Sequence, residues 1–294
     1  MLKIGIMSDS LKLPILESVL TARELGVDGI QCYAVQGEMA PDNLDTRARE
    51  SIRKLCHENG IAISALCGDL GGHGFQIAGE NPEKIRRTCA IVDLATDLGT
   101  TVVTTHIGVV PENRNSRTYE ILVEACRMVG AYAAGCGVTL AIETGPETPE
   151  RLLAFLKDTD TKGLGVNYDP ANLIMVQGID PVQGVRLLSG YIVHTHAKDG
   201  INIKPCDAVK VYESFAVSGI DGFNFGEYFN EVPLGEGGVP WDDYLTTLAG
   251  CGYDGFLTIE REVGANPVED ITLAVEFLKK RLSHLQTGKH RPNG

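Results

Sequence analysis

The 294-residue sequence has no C-x-x-C pair, no run of more than three lysines and arginines, and no apolar stretch near the roughly 18 residues of a membrane span. Its eight cysteines (Cys32, Cys56, Cys67, Cys89, Cys126, Cys136, Cys206, Cys251) are scattered, which argues against a disulfide framework and reads as reduced thiols used as small core residues. Basic residues are outnumbered. The formal net charge of −13 repels phosphate backbones and anionic lipid, so neither nucleic acid nor a membrane surface is an expected partner. The opening MLKIGIMSDS lacks a basic segment, a long apolar stretch and a small-residue cleavage site, and a cytoplasmic location is the expectation. The first turn, SDSLKLP, also lacks G-x-G-x-x-G, the phosphate-cradling signal of an open doubly wound sheet.

What the chain does have is alternation. Short β-like runs at 2–7, 29–33, 61–66, 102–106, 138–143, 164–168, 191–196 and 256–260 interleave with helical patterns at 14–25, 46–59, 82–98, 117–134, 149–157, 181–189, 241–248 and 267–282. The strand runs are apolar without polar alternation, as in a parallel sheet covered on both faces. Glycine stands between helix and strand in ELGVDGI, ENGIAI, DLGTTVV, AGCGVTL and AGCGYDGF, where a left-handed residue returns the chain to the sheet. Proline opens helices at Pro14, Pro82, Pro149, Pro181 and Pro267. Eight such units in a chain with no linker-like composition break predict an α/β fold, a single-domain (β/α)8 TIM barrel of about 250 residues plus additions. The addition is a long segment after strand seven, 200–236, with the aromatic stretch FNFGEYF; loops of that length are usually lids or binding loops.

Catalytic groups of such barrels come from the C-terminal strand ends and the loops after them. Those ends carry His106, Glu143 (TLAIE), Asp169 (GVNYD), His196 (YIVHTH) and Glu260 (FLTIE), with Asp9, Asp69, Glu147, Asn172, Lys198 and Arg261 in the following loops. Three carboxylates converging on one barrel mouth would repel, and a divalent cation removes that conflict. Three carboxylates with one imidazole suit one ion of Mn, Co, Zn or Mg, and the absence of thiolate argues against structural zinc. Taken singly, an acid at a strand end is often only a helix cap, a description that fits Asp169 before Pro170. His194 shares strand parity with His196 but lies one layer deeper, and reads as a satisfied core histidine.

At these residues the chain resembles the sugar phosphate isomerase/epimerase family with the xylose-isomerase-like barrel. The resemblance spans essentially the whole chain, through IETG at 142–145, NYDPANL at 167–173, HAKD at 196–199, PLGEGGVPW at 233–241 and TIE at 258–260. It implies that Glu143, Asp169, His196 and Glu260 hold one divalent ion, with His196 rather than His194 as the imidazole ligand. It also implies that His106, in TTHIG, contacts substrate, and a homo-oligomer is usual for it. One departure concerns the ketose 3-epimerases, which usually carry a histidine three residues after the metal-binding aspartate; here that position is Asn172.

The expected chemistry is metal-dependent isomerisation or epimerisation of a sugar or sugar derivative. A proton moves at a carbon α to a carbonyl through a metal-stabilised enediolate, with Glu143 and Glu260 as acid–base groups. His106, Asn172, Lys198 and Arg261 are the expected contacts to the small-molecule carbohydrate. Three rivals use the same barrel: a dehydratase of a keto-inositol-type polyol, an apurinic endonuclease and a non-catalytic sugar-binding barrel. The endonuclease needs more histidines at strand ends than this chain supplies.

Overall fold

Each of the five glycines that stand between helix and strand in the sequence (Gly26, Gly60, Gly99, Gly137, Gly252) has positive φ, so the chain turns where the pattern requires it. The computed structural model describes residues 1–217 and 224–288. In chain order β1 (Lys3–Met7) precedes a short helix α1 (Ser8–Leu11) and α2 (Ile15–Leu25), and β2 (Gly29–Tyr33) precedes α3 (Thr46–Glu58). Then come β3 (Ala62–Cys67) with α4 (Asn81–Leu98), β4 (Val102–Thr105) with α5 (Arg117–Gly135), and β5 (Thr139–Glu143) with α6 (Pro149–Thr159). After β6 (Leu164–Tyr168) a helical turn α7 (Pro170–Asn172) leads to α8 (Pro181–Leu188) and β7 (Ile192–Ala197). The chain continues through β8 (Asp199–Asn202), α9 (Ala208–Ala216), β9 (Phe229–Val232) and α10 (Trp241–Gly250) to β10 (Phe256–Ile259) and the closing helix α11 (Pro267–Gly288).

Eight parallel strands close in the order β1-β10-β7-β6-β5-β4-β3-β2, the expected (β/α)8 barrel. Side-chain oxygens of Asp45, Ser116, Thr148 and Asp180 cap α3, α5, α6 and α8, satisfying amides that have no partner within the helix. On α5, Tyr119, Leu122, Cys126, Val129 and Ala133 recur at three- and four-residue steps and are buried. Truncating the fully buried Leu122 to alanine would cost about 2–5 kcal/mol through the cavity left behind.

Inside the barrel the packing turns polar. Gln31 on β2 donates from Nε2 to Thr104 Oγ1 on β4 (3.0 Å), and His194 Nε2 on β7 lies 2.9 Å from both Gln31 Oε1 and Thr258 Oγ1 on β10. These buried groups satisfy one another, as groups cut off from water must. His194 is the core histidine expected of it, and burial, followed by the neighbouring His196, pushes its pKa down to about 3.

The segment 200–236 holds more regular structure than the irregular loop expected. β8 and β9 pair antiparallel, from Asp199↔Val232 to Asn202↔Phe229, and α9 sits between them. Residues 218–223, including the start of FNFGEYF, lie outside the described residues. The base of this segment is fastened by Asp199, whose carboxylate accepts from Gly235 N (2.9 Å), Val239 N (3.1 Å) and Trp241 Nε1 (2.8 Å). A Cβ at Gly237 would collide with that carboxylate, which explains a glycine in GEGGV.

Candidate metal centre

The C-terminal strand ends bring Glu143, Asp169, His196 and Glu260 together. One ligand atom from each lies within 4.8 Å of the other three. His196 Nδ1 is the centre of the group, 3.6 Å from Glu143 Oε2, 3.7 Å from Asp169 Oδ2 and 3.2 Å from Glu260 Oε2. Asp169 divides its two oxygens between the two readings its position allows. Oδ1 caps α7 by accepting from Asn172 N (2.9 Å), whereas Oδ2 is buried and accepts no hydrogen bond. A buried carboxylate oxygen with no donor is costly unless a cation faces it. The ends of β5 and β6 are locked together by the Thr144 hydroxyl, which donates to Asp169 O (2.9 Å) and accepts from Asp169 N (2.8 Å).

The electrostatics match that geometry. Burial opposes charge on Glu260, but His196 and then Lys198 outweigh it and hold the carboxyl well below its ordinary range. Burial likewise opposes a cationic His196, and Glu260 and Glu143 overcome it, raising the imidazole far above its usual value. The cluster thus stabilises positive charge at its centre. Its donor set, three carboxylates and one imidazole with no thiolate, fits a single divalent cation of the Mg, Mn, Co or Zn kind.

The remaining expected residues surround this group in different ways. Asn172 Nδ2 donates to Glu143 Oε1 (3.0 Å) and to Thr144 O (3.2 Å), so the side chain braces an acid from the cluster. His106 Nδ1 lies 3.1 Å from Asp69 Oδ2, and its Nε2, buried without a hydrogen bond, is 3.9 Å from Glu143 Oε1. Burial disfavours charge on this ring too, but Glu143 and Asp69 lift its pKa to about 10. Lys198 Nζ lies 3.1 Å from Glu260 Oε2 and also contacts Glu262. Arg261 lines the same cleft, but its guanidinium is engaged by Glu231 (Nη1–Oε1, 2.6 Å) and Asp270 (Nε–Oδ2, 2.8 Å).

Two polar residues inside strands were not singled out by the sequence reading. Gln31 belongs to the hydrogen-bonded interior beneath His196, and Asn167 Nδ2 donates to Glu143 Oε2 (3.0 Å). Their one signal is a lone amide in an apolar run, GIQCY and LGVNY. Above the cluster opens a cleft of about 960 Å³ whose outer wall includes Tyr212, Phe215, Phe225 and Phe229 from the 200–236 segment. The Tyr212 ring lies 5.7 Å from that of His106, and a Cβ at Gly145 (φ 155°) would strike its hydroxyl. Among the described residues, no helix is long and apolar enough to cross a membrane.

A closed parallel barrel with an acid–imidazole cluster at its C-terminal mouth is the architecture of a TIM-barrel enzyme family. The chain belongs to the xylose isomerase-like TIM barrel family, whose model matches residues 19–281. An uncharacterized protein of Methanocaldococcus jannaschii is 26% identical over 241 residues, 77% of this chain and 71% of that protein. Inosose dehydratase of Geobacillus thermodenitrificans is 24% identical over 169 residues, 55% of this chain and 54% of that enzyme, so the chain spans about half of it. Among solved structures, the xylose isomerase domain protein of Planctomyces limnophilus superposes with a TM-score of 0.78 at 26% identity, covering 97% of this chain and 98% of that one. The D-psicose 3-epimerase of Clostridium cellulolyticum H10, solved with D-tagatose, gives a TM-score of 0.73 at 16% identity over 96% and 99% of the two chains, a likeness of fold alone.

Proposed function

We propose that the protein is a divalent-metal-dependent isomerase or epimerase of a sugar or sugar derivative, moving a proton at a carbon next to a carbonyl. The observation that carries this reading is the convergence of Glu143, Asp169, His196 and Glu260 with the orphaned Asp169 Oδ2 among them. These four residues would hold one divalent ion, which supplies a Lewis acid for a bound carbonyl. Glu143 and Glu260 then serve as the proton-transferring groups. Glu143 ends β5 and Glu260 follows β10, strands separated in the barrel by β6 and β7, and so the two approach the substrate from different sides. Removal by one and return by the other to the same carbon inverts it; return at the neighbouring carbon isomerises the sugar. His196 and then Lys198 keep Glu260 ionised, which is the form a base requires. His106, held by Asp69, presents Nε2 to a substrate oxygen, and Asn172 holds Glu143 in place. The 200–236 segment acts as a lid whose aromatic side chains pack on the carbon face of the ligand.

A second reading, loss of water from a keto-inositol-type polyol, is favoured by the match to inosose dehydratase. It begins with the same proton abstraction and ends with departure of a hydroxyl, for which cationic His106 or Lys198 is the available acid. The two are separated by incubating the Mn²⁺- or Co²⁺-loaded enzyme with ketoses, aldoses and keto-inositols in D₂O and reading products by NMR. Solvent deuterium at an α-carbon of an epimer or isomer supports the first reading. A dehydrated product supports the second, and a ligand that binds with no exchange at any carbon refutes both.

A further inference from the structure

The four-residue cluster requires something specific of His196. Its Nδ1 faces Glu143, Asp169 and Glu260, so a cation there takes the Nδ1 lone pair, and the ring proton must then reside on Nε2. Nothing in the cluster itself accepts that proton. Two amides lie 3.2 Å from His196 Nε2: Asn167 Nδ2, a donor committed to Glu143 Oε2 (3.0 Å), and, from the far side of the barrel interior, Gln31 Oε1, which can accept.

Three features make Gln31 suited to this and little else. It is completely buried in the middle of β2, where an amide has no role in packing that an aliphatic side chain would not fill better. Its Nε2 is committed to Thr104 Oγ1 (3.0 Å), which turns Oε1 toward the histidines. Its Oε1 also lies 2.9 Å from His194 Nε2, so one carbonyl oxygen accepts from two imidazoles, using both of its lone pairs. The opposite orientation of the amide would set an N–H against each ring N–H.

We infer that Gln31 is a positioning residue of the metal centre: its side-chain carbonyl fixes the Nε2–H tautomer of His196 and so presents Nδ1 as the ligand. His194 completes the arrangement by meeting the same oxygen from below, and Thr258 Oγ1 in turn meets His194 Nε2 at 2.9 Å. This inference rests on the proposed metal site, and the experiment is built so that the two can fail separately. Groups that orient a ligating imidazole are typically worth about 10- to 100-fold in metal affinity.

The test begins with Mn²⁺ titrated calorimetrically into metal-free wild type, Gln31→Leu and Gln31→Glu, with His196→Gln as control. Gln31→Leu, which removes the acceptor, should bind Mn²⁺ about 10- to 100-fold more weakly. Gln31→Glu, which keeps an oxygen acceptor, should stay closer to wild type than the leucine variant. In parallel, histidine-selective ¹⁵N spectra of the Mg²⁺-loaded wild type should show His196 protonated at Nε2. That measurement needs no variant in β2 to fold. A proton on Nδ1 in that spectrum overturns the inference, as does wild-type affinity in Gln31→Leu or an equal loss in Gln31→Glu and Gln31→Leu. If wild type and His196→Gln both fail to bind Mn²⁺, the metal site itself is refuted and this inference falls with it. Binding in wild type that is lost in His196→Gln but unaffected at Gln31 refutes the inference alone.

Discussion

Lys198 and Glu260 meet at 3.1 Å, Nζ to Oε2, with side chains only 5% and 11% exposed. That carboxylate oxygen also faces His196 Nδ1 at 3.2 Å, so the lysine and the cluster draw on the same negative charge. The ammonium is shared further with Glu262 and lies 3.8 Å from Glu231 Oε2.

Removing the lysine should therefore be expensive. Lys198→Met strips the counter-charge from carboxylates that stay buried, and a loss of about 3–5 kcal/mol is expected for breaking such a pair. Chemical denaturation of the metal-free protein measures it. A loss below about 1 kcal/mol would mean that the contact behaves like an exposed ion pair.

Glu260→Gln keeps the shape of the side chain but cannot take up a proton. At saturating Mn²⁺, exchange of the substrate α-proton with solvent should fall at least about 100-fold. Full exchange in this variant would remove Glu260 from the acid–base role and leave it to Glu143.

Metal binding should also register as stability. Mn²⁺ at about 100 times its dissociation constant should raise the unfolding free energy of the chelator-stripped protein by about 2.7 kcal/mol. Asp169→Asn, which weakens the buried Oδ2 that has no donor, should lose most of that increment in a thermal melt. Because the cation displaces a proton from His196, whose pKa is raised, the increment should shrink as pH falls.

Glu147 gives a pH signature of its own. Burial raises its carboxyl to about 7 from 4.5, with the Val110 N–H and then His106 opposing the shift. The unfolded chain releases this proton near 4.5 while the folded chain retains it to about 7. The stability tied to the neutral acid is thus complete below the lower value and lost as pH rises through the upper one. Glu147→Gln should equal the parent in acid and exceed it at pH 8 by on the order of 1–3 kcal/mol, as read from paired denaturation curves.

The barrel was legible because buried parallel strands write themselves as unbroken apolar runs. The strands Gly29–Tyr33 and Leu164–Tyr168 have the limits that their composition and flanking residues suggest. The four clustered residues were legible for a related reason, since a charge at the end of an apolar run has few places to point but the mouth. What the sequence conceals is partnership across distance. Gln31 meets His194 from 163 residues away, and nothing local to GIQCY announces it. The β8–β9 ribbon was hidden likewise, because its strands lie far apart in the chain and carry no hairpin turn between them. Arg261 shows the same limit: the sequence offered a cation near the mouth, and only the fold shows Glu231 and Asp270 engaging it.

The fastening made by Asp199 has an architectural consequence. By gripping backbone amides at Gly235 and Val239 and the Trp241 indole, it draws the two ends of the 200–236 segment together. Residues of the segment that do not reach the barrel can therefore vary while its ends stay anchored, whereas Tyr212 and Glu231, which meet His106, Lys198 and Arg261, tie its contents to the cluster.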